Sequence, residues 1–321
     1  MILTRGQMEH IVGLAITAPS VLNTQPWQFF PHGDAIEVHA VPSRGLPAVD
    51  PAARETYISC GAAVFNLRLG IGGLRRTAVT SLLPNAENLA HVASVRIGGP
   101  MTLPSDERQL ADAIPRRRTS REPFSDEPVP ASVRNALAAA ADREGARLDI
   151  VPAWRRHAVV GAVNDADLAQ RLNPRVVKEV DRWTLRREES TSGIPPSALG
   201  PSPRNPDATV RDFALGATVA TRKTADFGQE DLLAVLLTPA DDRLAWVRAG
   251  LALQRVLLTA TVHGVSSGLL TSPLEVPALR DLLVEGGATR GHPQVLLRFG
   301  YGPEPAPTPR RSVADVLTHA R

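Results

Sequence analysis

Pro19-Ser20-Val21-Leu22-Asn23-Thr24-Gln25-Pro26-Trp27 is the stretch on which the reading of the fold turns. Upstream, Met8, Ile11, Val12, Ala15 and Ile16 recur at helical spacing, and Pro19, which lacks an amide donor, stops that helix. Downstream, strand-like segments surround Trp27 to Phe30 and Ile36 to Val41. The quoted stretch is therefore a polar, proline-flanked loop joining a helix to a strand.

Working outward, residues 52–75 are apolar on nearly all sides, as expected of a helix in the middle of a core. Strand signals follow at 77–83 and 89–97. From Pro104 the pattern begins again, with a short helix near 105–113, a basic turn from Arg116 to Phe124 and an alanine-rich helix over 131–144. A strand near 147–151 and helices near 153–171 and 174–187 come next. Residues 188–209 hold Gly193, Pro195, Pro196, Gly200, Pro201, Pro203 and Pro206, and so long an irregular stretch reads as a lid, a binding loop or disorder. Leu232 to Leu237 reads as a buried strand, Asp241 or Asp242 caps a helix running to His263, a short helix follows at 277–284, and Val295 to Phe299 is the last strand before a proline-rich tail. The sum is an α+β chain.

The 321 residues suffice for one large or two ordinary domains. With 43% hydrophobic and 21% charged residues, neither wholesale disorder nor a multi-span membrane protein fits. Net charge is only +3, yet Lys178 and Lys223 are the sole lysines, so arginine supplies nearly all the positive charge. Its planar fork matches phosphate and carboxylate, although codon bias from a GC-rich genome gives the same composition. An aromatic content of 4% argues against a stacking platform for single-stranded nucleic acid. Cys60 is the single cysteine, which excludes an internal disulfide and a cysteine zinc cluster and is compatible with a reducing cytoplasm. The apolar run 11–18 follows Arg5 and ends in small residues like a signal peptide, but it abuts Glu9 and His10 and is too short to span a bilayer, so it reads as a helix, with a secretion signal as the alternative.

Two generic motifs fail on context. Gly264-Val265-Ser266-Ser267-Gly268 matches G-x-S-x-G, but it follows a long helix, whereas a nucleophile elbow joins a strand to a helix. Gly70-Ile71-Gly72-Gly73 lacks dinucleotide spacing, and the eight histidines show no metal-ligand spacing, so no metal site is expected. More telling is Arg116-Arg117-Arg118-Thr119-Ser120-Arg121, whose guanidiniums and hydroxyls can surround a phosphate, though alone it also reads as a solvated basic turn. Arg310-Arg311 follows Gly300-Tyr301-Gly302 in the tail.

Together, the Pro19–Trp27 loop, Arg117-x-Thr119-x-Arg121 and the terminal Gly300-Tyr301 with Arg310-Arg311 resemble the P-S-S-x-N-x-Q-P-W, R-x-S-x-[RK] and G-Y…R-R motifs of FMN-dependent nitroreductases. The loop precedes the turn here, an order similar to that of the mycobacterial Acg-type nitroreductase-like proteins, as are the Thr-Ser-Arg-Glu-Pro-Phe continuation and the Trp183…Gly193-Ile194-Pro195 segment. The resemblance implies a nitroreductase-like fold duplicated within one chain, a pseudo-dimer of halves 1–104 and 105–321, with mixed or antiparallel sheets flanked by helices. Only one complete flavin site is expected, because the first half lacks an arginine turn.

The resemblance also implies roles. Arg117 with Arg310 or Arg311 holds the FMN phosphate, and Arg121 sits near the flavin N1 and O2. Arg118, Thr119 and Ser120 complete the turn. Pro19, Ser20, Val21 and Asn23 line the ring from the other half, with Gln25 in the same loop, and Ser267, Gly268, Leu269, Leu270 and Thr271 supply backbone facing N5 and O4. No side-chain acid or base is implied. Thr308 and Pro309 replace a lysine common in relatives, and the family's middle Asn-x-x-Lys pair has no clear counterpart, Lys178 and Arg182 matching only by helical spacing. The expected function is NAD(P)H-dependent reduction of nitroaromatics or quinones through FMN. The alternative is a flavin-sequestering protein with its lid, 188–209, over the cofactor. A monomeric pseudo-dimer or weak homodimer in the cytoplasm, with no nucleic-acid or membrane partner, completes the expectation.

Overall fold

The computed structural model describes residues 3–184, 190–205, 208, 210–214, 222–228, 231–284 and 291–318. The first unit runs α1 (Arg5–Ala15), β1 (Trp27–His32), β2 (Ala35–Ala40), α2 (Arg54–Gly73), β3 (Arg76–Leu82) and β4 (His91–Pro100). Helix α3 (Ser105–Ala113) then leads to the second unit. That unit has α4 (Ala131–Asp142), β5 (Arg147–Ile150), α5 (Ala153–Arg171), α6 (Pro174–Trp183) and two short strands, β6 (Ser202–Pro203) and β7 (Thr224–Ala225). It continues with β8 (Leu232–Thr238), α7 (Arg243–Val262), β9 (Ser266–Leu269), α8 (Pro277–Arg280) and β10 (His292–Gly300), and α9 (Val313–Val316) lies in the tail.

The two large sheets repeat one topology. Their strand orders are β1-β2-β4-β3 and β5-β8-β10-β9, with every pairing antiparallel. In each, a twenty-residue helix joins the second strand to the third: α2 in one, α7 in the other. The first unit closes β1 to β2 with a hairpin at Gly33, φ 60°, whereas the second inserts residues 151–231 at the same place. The duplication expected of the fold is thus visible in strand order, and the insertion makes the halves unequal.

Helices α2 and α7 cross at glycine. Gly61 and Gly250, each the eighth residue of its helix, face one another so closely that a Cβ on Gly61 would lie 2.2 Å from Val247 O, and one on Gly250 2.0 Å from Ile58 O. Such an approach buries α2 among neighbours on all sides, which explains its lack of a polar face.

Sheet surroundings explain the sequence patterns. The second sheet is covered on both faces, by α4 and α7 on one side and by Val159, Val160 and Val163 of α5 on the other, so Leu233 to Leu237 are all buried. The first sheet alternates, Ile36 and Val38 facing the core and Glu37 and His39 facing outward. The cut between 104 and 105 divides the sheets but not the cores. Leu110, Ala113 and Ile114 of the α3 segment, and Val316 and Leu317 of the tail, pack in the first unit's core.

Several boundaries differ from the sequence expectation. Helix α6 stops at Trp183 instead of 187, because Thr184 is extended and bridges Ile194; residues 185–187 lie outside the described residues. The helix expected at 277–284 is one α turn followed by a 3-10 turn at Asp281–Leu283, and the last strand is longer, His292–Gly300. Within 188–209, residues 188, 189, 206, 207 and 209 lie outside the described residues; the remainder holds a 3-10 turn at Pro196–Ala198 and strand β6. Among the described residues no helix is long and apolar enough to cross a membrane.

Candidate active site

The Pro19–Trp27 loop is held in an unusual backbone. Leu22, Asn23 and Gln25 have φ of 47°, 52° and 51°, the left-handed region that residues with a Cβ rarely occupy. Hydrogen bonds from the insertion and from the tail fix it. Asn23 Nδ2 donates to Gly193 O (2.8 Å) and Pro309 O (3.0 Å). Gln25 Nε2 donates to Thr191 O (2.9 Å), while its Oε1 accepts the Arg311 amide (2.8 Å). Ser20 Oγ accepts the Gln25 amide (3.0 Å), and Trp27 is buried beneath.

The basic turn lies against strand β9. Thr119 bridges Ser267 in parallel, and the Ser120 amide donates to Ser267 O (2.7 Å). Gly268 permits this approach, since a Cβ there would stand 2.9 Å from Ser120 O and 2.7 Å from Arg298 Nε. The G-x-S-x-G match is therefore packing geometry, with Ser266 and Ser267 inside a strand that follows a helix.

Loop, turn and tail enclose a cavity of about 1050 Å³, counted out to its solvent-open part. Pro19, Ser20, Val21 and Asn23 form one wall, and Arg117, Arg118, Thr119, Ser120 and Arg121 another. Arg310 reaches in from the tail, and Leu269, Leu270 and Thr271 come from the end of β9. Four expected residues do not line it. Gln25 and Arg311 are spent on the loop, Arg311 donating to the Trp27 and Asp315 carbonyls (3.2 and 2.6 Å), and Ser267 and Gly268 are spent on the turn. Of the Arg310/Arg311 pair, only Arg310 faces the cavity.

Besides the half-buried Arg118, which donates to the Pro115 and Arg117 carbonyls, three guanidiniums of this cavity have no carboxylate partner among the described residues: Arg117, Arg121 and Arg310. Arg117 Nη2 donates to Thr17 O (3.1 Å), and Arg310 Nη2 to the same carbonyl (3.3 Å), so one oxygen just past α1 orients both. Arg310 Nη1 donates to Asn23 Oδ1 (2.9 Å) and Thr308 Oγ1 (2.7 Å), and Arg121 Nη1 to Ala198 O (2.9 Å). The Nε atoms of all three are buried without a hydrogen-bond partner. Burial, with repulsion from Arg310 and Arg118, pulls Arg117 down to about 9. Burial and neighbouring arginines likewise lower Arg121 and Arg310 to about 10. Cations this unsatisfied suit a bound anion rich in acceptor oxygens.

Sequence reasoning missed the floor and the roof. Glu55, Ile58 and Ser59 of α2, Leu253 of α7, and Gln294, Val295 and Arg298 of β10 form the floor. Val210, Arg211 and Phe213, from the insertion, lie along the cavity as well. The Phe213 ring has guanidinium carbons near it at 4.8 Å (Arg211) and 5.1 Å (Arg121). Arg211 is anchored by Glu275, with Nη2 to Oε2 at 2.7 Å, and by Gln170 Oε1 at 3.2 Å. Trp183 packs in the core beside the loop, and Cys60 is buried, its thiol pushed up by burial.

Outside the cavity, Glu37, His39 and His91 bring donor atoms within 4.8 Å of one another. The two imidazoles stack at 4.5 Å and 12°, so their in-plane lone pairs run side by side rather than converging on an ion.

No family model matches the chain. It is 33% identical to Rv3131 of Mycobacterium tuberculosis over 314 residues, covering 96% of this chain and 90% of that protein. It is 31% identical to Acg of the same organism over 324 residues, covering 99% and 97%. Both carry NAD(P)H nitroreductase names. A nitroreductase from Bacteroides fragilis, solved with bound FMN, aligns over 66% of this chain and 98% of its own at 15% identity and a TM-score of 0.42. On end-to-end identity to these two mycobacterial relatives, the chain belongs to the Acg-type NAD(P)H nitroreductase family.

Proposed function

We propose that the chain is an FMN-dependent oxidoreductase that passes reducing equivalents from NAD(P)H to nitroaromatic or quinone acceptors. The observation that carries the reading is the convergence of Arg117, Arg121 and Arg310 without a carboxylate, their Nε atoms unpartnered. That donor set fits a phosphate monoester and an electron-rich ring edge. Arg117 and Arg310 are assigned to the phosphate, with Arg118 beside them, and Arg121 to the ring. When bound, FMN supplies two-electron chemistry, while the protein contributes position and electrostatics. The Pro19–Asn23 wall, fixed by contacts to Gly193 and Pro309, orients the ligand, and the apolar floor of Ile58, Leu253 and Val295 excludes water from it. Loop and turn belong to one chain, which supports a monomer, and the lone buried cysteine fits a reducing cytoplasm.

Residues just beyond the expected lid, rather than 188–209 itself, support a second reading, a flavin-sequestering protein with little turnover, because Arg211 is locked to Glu275 while lining the cavity. One experiment separates the two. Purified protein shows a flavin absorbance that excess NADH or NADPH bleaches anaerobically under the first reading, whereas only dithionite bleaches it under the second. Replacing Arg117 and Arg121 by alanine empties the site, since each charge-assisted contact contributes about 1.5–3 kcal/mol. Stoichiometric FMN in that double variant refutes the assignment.

A further inference from the structure

Among the described residues lining the cavity, the titratable side chains are six arginines and one acid, Glu55. Arginine does not release a proton near neutrality, so Glu55 is the one lining group there that can. It stands in the first turn of α2 and is 5% exposed.

Charged groups face it from every side. On its own helix, Arg54 Nη2 donates to Oε1 at 2.8 Å, and Arg54 is in turn held by Gln294 O of β10 at 2.6 Å. From the segment before α2, Asp50 accepts the Thr56 amide at 3.0 Å. From the insertion and the segment after β9 come Arg211 and Glu275, paired with each other and both acting on Glu55. Burial first, then the charges of Glu275 and Asp50, push Glu55 up to about 8, against the pull of Arg54 and Arg211.

We propose that Glu55 hands a proton to the electron acceptor reduced in this cavity, a role that rests on the FMN reading above. The chemistry requires such a proton. Reduction of a nitro group to a nitroso group takes one hydride equivalent, whose source is NAD(P)H, and one proton. Two electrons enter the acceptor, one N–O bond breaks, and the oxygen leaves as water carrying both hydrogens. A quinone takes the same pair and becomes a hydroquinone. The Glu55 O–H bond breaks as the proton leaves, the carboxylate is left beside Arg54, and solvent water restores the proton between turnovers.

Glu55→Gln keeps the volume and an oxygen for Arg54 but has no proton to give. In flavin-free wild-type protein, infrared difference titration should show a protonated carboxyl band that disappears as pH rises through about 8 and is missing from the variant. With FMN loaded, the variant should hold the wild-type amount of FMN, turn over a quinone roughly 10²-fold more slowly and lose the alkaline limb of the pH profile. Lack of the band, or a fully loaded variant with wild-type rate and profile, overturns the role. A wild-type chain that takes up no FMN overturns the cavity reading and this role together, and its colourless spectrum distinguishes that result from the other two.

Discussion

Arg117 is a buried cation whose nearest charges are other cations, and that predicts an unusual trade. Arg117→Met fills similar volume without the charge. In the flavin-free protein it should raise the free energy of urea unfolding by about 1–3 kcal/mol, because an unpaired buried ion costs more than its apolar substitute. It should also weaken FMN binding at least tenfold by equilibrium dialysis, and a variant that is less stable yet binds normally would contradict the charge argument. Glu55 and Asp50 give a second residue-scale signature. Both are raised in the fold, to about 8 and about 6, from ordinary values of 4.5 and 3.8. Between those limits the native state holds more protons than the unfolded chain, so their contribution is complete below about pH 4 and fades as pH climbs from about 4 to 8. Urea midpoints should therefore fall over that range, and Glu55→Gln should flatten the decline. At this scale the motif arginines were legible because their spacing is local. Glu55 and Arg211 were not, since Glu55 opens a helix read only as core and Arg211 borrows its partner from residue 275. Arg298, one charge within the buried strand His292–Gly300, carried a signal that went unread.

Elements show where periodicity suffices and where it fails. The Leu232–Leu237 run and the two twenty-residue helices were legible, because burial on both sides of a sheet or all round a helix leaves an uninterrupted apolar record. The end of α6 was not, because Thr184 is drawn out by a bridge to Ile194, a contact local propensity does not encode. The α2–α7 crossing is the most sensitive joint. Gly61→Ala or Gly250→Ala would set a methyl group against backbone carbonyls at 2.2 or 2.0 Å, so either should lower stability by about 3 kcal/mol or more in denaturant titration. The insertion makes an opposite kind of prediction. Phe213→Ala removes the ring shared by Arg211 and Arg121 and should quicken anaerobic bleaching by NADPH. An unchanged rate would show that the roof does not limit access.

For the whole molecule, the pattern beginning again at Pro104 and the family resemblance pointed to a duplication, whereas the strand order that repeats was set by pairings no local pattern encodes. One loop–turn pair per chain predicts one FMN per polypeptide, and two by absorbance would contradict the single-site arrangement. The tail belongs to both units in structural terms: Arg310 enters the cavity, the Thr318 amide donates to Phe29 O (2.9 Å), and Leu317 bridges Phe29. Because Val316 and Leu317 complete a core begun by Ile11 and Val12, segments made early wait for segments made some three hundred residues later. Biosynthesis thus imposes an order of events, the opening unit staying unclosed until residues 316 and 317 have been made, so a nascent chain stalled before residue 313 should be protease-sensitive around residues 11 and 12.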